Sequence, residues 1–172
     1  MTSSAPSTPP RPHLVAVLLD SYRHWTGREL MTRQGSILEE ADAAFRADFV
    51  LAAHDGGEDP RFIYGNALAL DLFGYDWETF TQLPSRLSAE PDGRAERSRL
   101  LDGVQNQGYA NNYRGIRTGR HGRFEIEAAE VWNLIDAEGQ IQGQAACFAL
   151  WHWLGPSPTG PKPRQPQALR RI

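Results

Sequence analysis

The stretch Phe62-Ile63-Tyr64-Gly65-Asn66-Ala67-Leu68-Ala69-Leu70-Asp71-Leu72-Phe73-Gly74-Tyr75 decides how this chain is read. Arg61 to Tyr64 suit a short strand. Asn66 stands where strand gives way to helix, and asparagine is favoured there because its side-chain oxygen accepts a first-turn N–H. Ala67, Leu70 and Phe73 then fall on one side of a helix. Upstream, Phe49-Val50-Leu51-Ala52-Ala53-His54 is a second apolar run that ends in the turn Asp55-Gly56-Gly57. The two short strands form a hairpin.

Downstream, Asp76 opens a short helix holding Trp77 and Phe80. Pro84 and Pro91 bracket an irregular stretch. Residues 93–107 make a longer helix with Leu100, Leu101 and Val104 inside, closed by Gly108. The last third is strand. Residues 112–118 lead through Gly119-Arg120-His121-Gly122 into residues 123–135, where Phe124, Ile126 and Ala128 alternate against Glu125 and Glu127. A turn at Asp136-Ala137-Glu138-Gly139 leads to residues 142–151, whose Ala145-Ala146-Cys147-Phe148 centre suits a strand buried on both faces. Two strands, then helices, then a three-strand meander imply an α+β domain, with a five-stranded antiparallel sheet and helices on one face. Helices and inner sheet face would enclose a pocket.

Two helices precede this domain. Leu14, Leu18, Tyr22 and Trp25 form a stripe over residues 13–26, with Gly27 as a stop. Ser36-Ile37-Leu38-Glu39 has the form of a capping box, followed by Ala41, Ala44 and Phe45, which with Ile37 supply an apolar face. These helices either cover the sheet or pair with a second subunit. Nine of the twelve prolines lie in residues 1–12 and 155–172, which lack apolar periodicity and read as disordered tails. The division is therefore tail 1–12, helices 13–48, main domain 49–154 and tail 155–172. The C-terminal prolines could dock a partner; a solvated tail is the simpler reading.

The phrase from Phe62 to Tyr75 resembles the core of PAS sensor domains. A longer set resembles the MEKHLA domain, a PAS-related family: Tyr64-Gly65-Asn66, Trp77-Glu78, Leu83-Pro84-Ser85-Arg86-Leu87-Ser88-Ala89-Glu90, Tyr113-Arg114-Gly115-Ile116-Arg117, Val131-Trp132-Asn133-Leu134 and Gly143-Gln144-Ala145-Ala146. The run from Pro84 to Glu90 is the most specific. That family occurs as stand-alone bacterial proteins and at the C-terminus of plant homeodomain–leucine-zipper regulators. Without homeodomain or zipper, this chain resembles the bacterial type. The resemblance implies sensing or binding and names no ligand.

Composition narrows the partners. No apolar run approaches the roughly 20 residues that span a bilayer, and Leu14 to Leu19 lacks the flanks of a signal peptide. The single cysteine, Cys147, excludes an internal disulfide and suits a reducing cytoplasm. The net charge is −3, but Arg11, Lys162, Arg164, Arg170 and Arg171 lie in tails without acids. The part between carries about −8, which repels nucleic-acid phosphates.

Several residues are candidate ligand contacts. Arg86 could hold an anionic group in a bidentate fork, with Ser85 and Ser88 alongside; alternatively it pairs with Glu90 or a carbonyl and holds the loop. Asn66 could touch ligand or simply cap its helix. Tyr64, Trp77, Tyr109, Tyr113 and Trp132 could stack on a planar ligand or be core. Asn133 and Gln144 lie on neighbouring strands; facing inward, they need partners, because an unpaired buried amide costs about 1–3 kcal/mol. Cofactor readings are weaker. Cys147 lies on the last strand, away from the mid-domain helices where a flavin-thiol photosensor carries its cysteine. The long helix has no histidine for haem. The spacing of His13, His24, His54, His121 and His152 fits no metal motif, and the acidic loop Asp55, Glu58, Asp59 reads as solvated. No phosphate loop or nucleophile elbow is present. His54-Asp55 lacks the partners of a phosphohydrolase dyad, so no catalytic or metal residue is expected.

The expectation is a cytoplasmic sensory module that binds a small molecule or partner protein. With no output domain in the chain, it would signal by contact through its N-terminal helices. A homodimer through those helices is a further expectation. The first alternative is a dimerisation module with a filled core. The second is a small-molecule enzyme on an α+β cone.

Overall fold

A computed structural model describes residues 11–33, 35–155 and 160–163. Residues 1–10 of the expected tail 1–12 and most of the expected tail 155–172 lie outside the described residues; Pro12, placed in that tail, opens a helix instead.

Helix α1 (Pro12–Thr26) starts on a proline, whose missing N–H costs nothing at a first turn. It ends at Gly27, whose φ of 70° is the left-handed stop expected of glycine. Helix α2 (Ile37–Phe45) is capped by Ser36, which accepts the Glu39 N–H at 3.2 Å. Ala41, Ala44 and Phe45 are buried, but Ile37 is 43% exposed, so it leaves the apolar face expected of it. Strands β1 (Val50–Asp55) and β2 (Phe62–Gly65) form the expected hairpin. Helices α3 (Ala67–Phe73) and α4 (Trp77–Phe80) follow, capped by Asn66 and Asp76. A 3-10 turn at Ser85–Ser88 leads through a second, Pro91–Gly93, into α5 (Arg94–Gln107). Strands β3 (Tyr109–Gly119), β4 (Gly122–Ile135), β5 (Ile141–Phe148) and β6 (Leu150–Leu154) complete the chain order.

The sheet is antiparallel in the order β2-β1-β5-β4-β3. A sixth strand, β6, also pairs with β4, where one continuous final strand over residues 142–151 was expected. The cause lies at Ala128. Its φ of 52° is a left-handed kink in β4, the signature of a bulge that re-aims a strand. Before it, Phe124 and Ile126 face inward; after it, Ala129 takes the buried place and Ala128 is exposed, contrary to the expected alternation. One half of β4 pairs with β6 and the other with β5.

Helix α1 covers the sheet within the chain, and α2 packs on α1. The Trp132 indole donates to the Leu18 carbonyl at 3.1 Å, and its ring meets Tyr22 edge-on at 5.0 Å. The Trp25 indole donates to the Asn133 carbonyl. The Ser21 hydroxyl accepts the Ile135 N–H. Tyr22 and Tyr109 both donate to Glu130. Val15, Leu18, Leu19 and Tyr22 are buried in this layer. The opposite face of the sheet receives α3 and α5, and a cavity lies there.

Candidate functional site

The cavity is built from one stripe of α5. Leu100, Leu101 and Val104 lie on it, and Arg97 sits three, four and seven residues before them on the same side. Its guanidinium is therefore carried inward; Arg97 is only 7% exposed. Nη2 donates to Ser85 Oγ at 2.5 Å, and Ser88 Oγ donates to the Ser85 carbonyl at 2.6 Å. No carboxylate pairs with Arg97 among the described residues. Burial, reinforced by the Arg117 charge, lowers its pKa to about 10. A guanidinium holds its proton strongly, so this marks an uncompensated buried cation.

The cavity measures about 80 Å³, with apolar walls including Phe62, Phe73, Ile126, Val131 and Phe148. Its polar groups are Arg97, Arg117, His54, Ser88, Tyr113 and Gln144. Arg117 donates to the Tyr113 hydroxyl at 3.0 Å, and its guanidinium carbon lies 5.5 Å from that ring's centroid. No ion pair to Arg117 occurs among the described residues either. A groove of about 460 Å³, lined in part by the same His54, Arg97, Leu101 and Gln144, forms the mouth, with Asp55, Glu58 and Asp102 on its rim.

His54, Gln144 and Asn133 form a cross-strand row over β1, β5 and β4. The two amides face inward and find partners. Gln144 Nε2 donates to the Leu101 carbonyl at 2.9 Å and to Asn133 Oδ1 at 3.2 Å. Asn133 Nδ2 donates to the Val104 and Gln105 carbonyls, tying the end of α5 to the sheet. His54 is different. Its Nδ1 lies 2.8 Å from the Asp55 carbonyl, which can only accept, so Nδ1 carries the hydrogen. Nε2 is left as a buried lone pair without a partner among the described residues.

Burial pushes the His54 pKa below its ordinary value of 6.5; the Asp55 carbonyl opposes this and the Arg97 charge adds to it. Below about pH 6.5 the unfolded chain takes up this proton more readily than the native one, so stability falls as pH drops through that value. Chemical denaturation at pH 5.0 and 7.5 is expected to show a larger acid loss for the wild type than for His54→Gln. Equal losses in the two proteins would show that His54 is not responsible.

The other candidates fall elsewhere. Arg86 is half exposed and pairs with Asp59 at 3.0 Å, outside the cavity. Ser88 lines the cavity, and Ser85 reaches it through Arg97. Asn66 is fully buried and is occupied by four backbone groups. Tyr64 and Trp77 meet edge-on at 5.7 Å, away from the lining, with Arg11 over the Trp77 ring. Trp132 and Tyr109 belong to the layer beneath α1. Of the aromatic set, Tyr113 alone reaches the cavity. Cys147 also lies on the α1 side, 3.7 Å from Glu130, and burial raises its thiol pKa. A flavin-thiol adduct therefore does not fit these residues. Glu125, Glu127 and His152 bring possible ligand atoms within 4.8 Å on the surface, but Arg114 bonds both carboxylates, at 2.7 and 2.9 Å.

Sequence reasoning selected Arg86, passed over Arg97 and Arg117, and set His54 aside as a metal or hydrolase residue without weighing it as a ligand contact. The signal for Arg97 was its place on the apolar stripe of α5. Arg117 stood inside a quoted phrase with no reason to single it out.

No helix among the described residues is long and apolar enough to cross a membrane. A search of curated proteins finds no match. Among solved structures, the chain is similar to the PAS domain of a protein from Colwellia psychrerythraea, with a TM-score of 0.56 and 17% identity over 63% of this chain and 91% of that one. It is also similar to a light-oxygen-voltage domain studied with a flavin analogue, with a TM-score of 0.53 and 16% identity over 63% and 82%. A fungal LOV photoreceptor domain matches at a TM-score of 0.50 and 16% identity, over 83% of this chain and 91% of that one. At such identities the likeness establishes the fold, and the fold is PAS-like. The family model for the MEKHLA domain matches residues 12–153, taking in α1 and α2 with the sheet and all its helices, so the chain belongs to the MEKHLA domain family.

Proposed function

We propose that this domain is a cytoplasmic sensory module whose ligand is a small organic anion held in the inner cavity. One observation carries the reading: Arg97 is buried, faces the cavity and has no acid among the described residues to neutralise it. Buried charges are normally paired, because isolation in a low-dielectric site is costly. A carboxylate or phosphate in the cavity would meet Arg97 and Arg117 together. A hydroxyl or N–H on the same ligand would satisfy His54 Nε2. The apolar walls would hold its carbon skeleton. A cavity of about 80 Å³ suits a compact acid, since larger, drug-sized ligands occupy roughly 300–1,000 Å³. Binding rather than catalysis is the reading this chemistry supports: both charged groups of the lining are cations, and the Ser88 hydroxyl is engaged by the Ser85 carbonyl. The ligand state would pass to the N-terminal helices through β4, which contacts both layers.

The test is thermal unfolding of the purified protein against short carboxylates, hydroxy acids and inorganic phosphate, with matched amides and amines as controls. A ligand at 100 times its Kd adds about 2.7 kcal/mol, which raises the Tm of a domain this size by several degrees. Saturable stabilisation by anions but not by the uncharged controls is expected. Native mass spectrometry without any adduct, together with no stabilising anion in the set, would sink the reading.

A further inference from the structure

Residues 160–163 lie within the expected disordered tail, yet they are seated on the domain. The Trp151 indole N–H donates to the Pro161 carbonyl at 3.1 Å, and the Trp153 indole N–H donates to the same oxygen at 2.7 Å. The two tryptophans are two apart on β6, so both rings stand on one face of the strand. Their donors fill both lone pairs of a single carbonyl. Trp151 is only 3% exposed, so its N–H needs this acceptor. The site also reads the residue before the proline: a Cβ on Gly160 would lie 2.2 Å from the Trp153 ring. Only glycine permits that approach.

We propose that Trp151 and Trp153 form a docking site for extended Gly-Pro segments, filled by this chain's own Gly160-Pro161-Lys162-Pro163 and open to exchange with a proline-rich peptide of a partner. Proline has no N–H to donate to a sheet ladder, so a Gly-Pro-Lys-Pro segment offers few backbone donors. Its free handles are its carbonyls, and indole donors on an aromatic surface are suited to read them. The site shares a wall with the cavity. Trp151 packs edge-on against Phe148, which lines it. Trp153 packs on Phe124 and Phe124 on Phe73, which also lines it. The docking site stands on its own contacts and does not depend on which ligand the cavity takes.

The experiment uses the full chain, with the indole N–H resonances of its five tryptophans followed by NMR. Gly160→Leu is expected to expel the tail, shifting the Trp151 and Trp153 signals and leaving those of Trp25, Trp77 and Trp132 in place as a control for folding. A synthetic peptide of residues 160–165 is then titrated into the variant to roughly millimolar concentration, the effective concentration of a short tether. Return of both signals towards their wild-type positions, saturably and not with a peptide carrying leucine for the glycine, is the expected result. Coincident wild-type and variant signals would show that the tail is not seated. Signals that move in the variant but ignore the peptide would overturn exchange with a partner.

Discussion

Replacing Arg97 with methionine is expected to leave the ligand-free domain at least as stable while removing its response to anions. Two opposed terms set the size. Lowering the guanidinium pKa from 12.5 to about 10 corresponds to roughly 3 kcal/mol of lost preference for the charged form. The hydrogen bond to Ser85 Oγ returns about 1.5–3 kcal/mol, as bonds to charged groups do. Methionine matches the stem, brings no charge and packs beside Leu100 and Leu101. The net expectation is no loss, and a gain of up to about 1.5 kcal/mol, in urea unfolding of ligand-stripped protein. Arg97→Lys keeps the charge but not the planar fork, so it should bind anions more weakly than the wild type. The opposite outcome is just as legible. A loss of about 2 kcal/mol or more in Arg97→Met would mean that the guanidinium holds the Ser85–Ser88 turn against α5, and that binding is not its role.

Asn66→Ala should be as damaging as truncating a core aromatic, with a loss of about 3–5 kcal/mol. The Asn66 side chain accepts the Leu51 N–H at 3.1 Å and the Ala69 N–H at 3.0 Å. It donates to the Ala44 carbonyl at 3.2 Å and the Phe49 carbonyl at 2.8 Å. One amide thus joins the end of α2, the entry to β1 and the first turn of α3. Alanine strips the helix cap, worth about 1 kcal/mol, and leaves buried backbone groups without partners at about 1–3 kcal/mol each before relaxation. Asn66→Ser can still cap Ala69 but reaches little else, so it should fall between alanine and wild type. Denaturant midpoints for the three proteins decide this. A loss under about 1 kcal/mol for alanine would mean that water replaces the amide.

The local grammar of the fold was legible because it depends on near neighbours. Asn66 is a cap because asparagine before a helical stripe is a cap. Gly27 and Gly108 stop helices with φ of 70° and 91°, which side chains rarely adopt. The missed features depend on what is opposite. The bulge at Ala128 is invisible in an alternating run, because alanine suits either face of a strand. Arg86 was attractive as an arginine among serines in a specific phrase. In the fold, Asp59, 27 positions earlier in the chain, sits beside it and neutralises it.

Periodicity, propensity and short phrases suffice for the α+β class, the caps and turns, the hairpin and meander, and the membership of the MEKHLA family. Which arginine is buried without an acid among the described residues, which face of the sheet α1 covers, and which aromatic rings line a space and which fill one are matters of tertiary structure. The physical reason is that desolvation and charge pairing are set by atoms distant in the chain. Arg97 and Arg86 carry the same side chain eleven positions apart; only the packing of α5 on β3 and β4 takes one of them out of water.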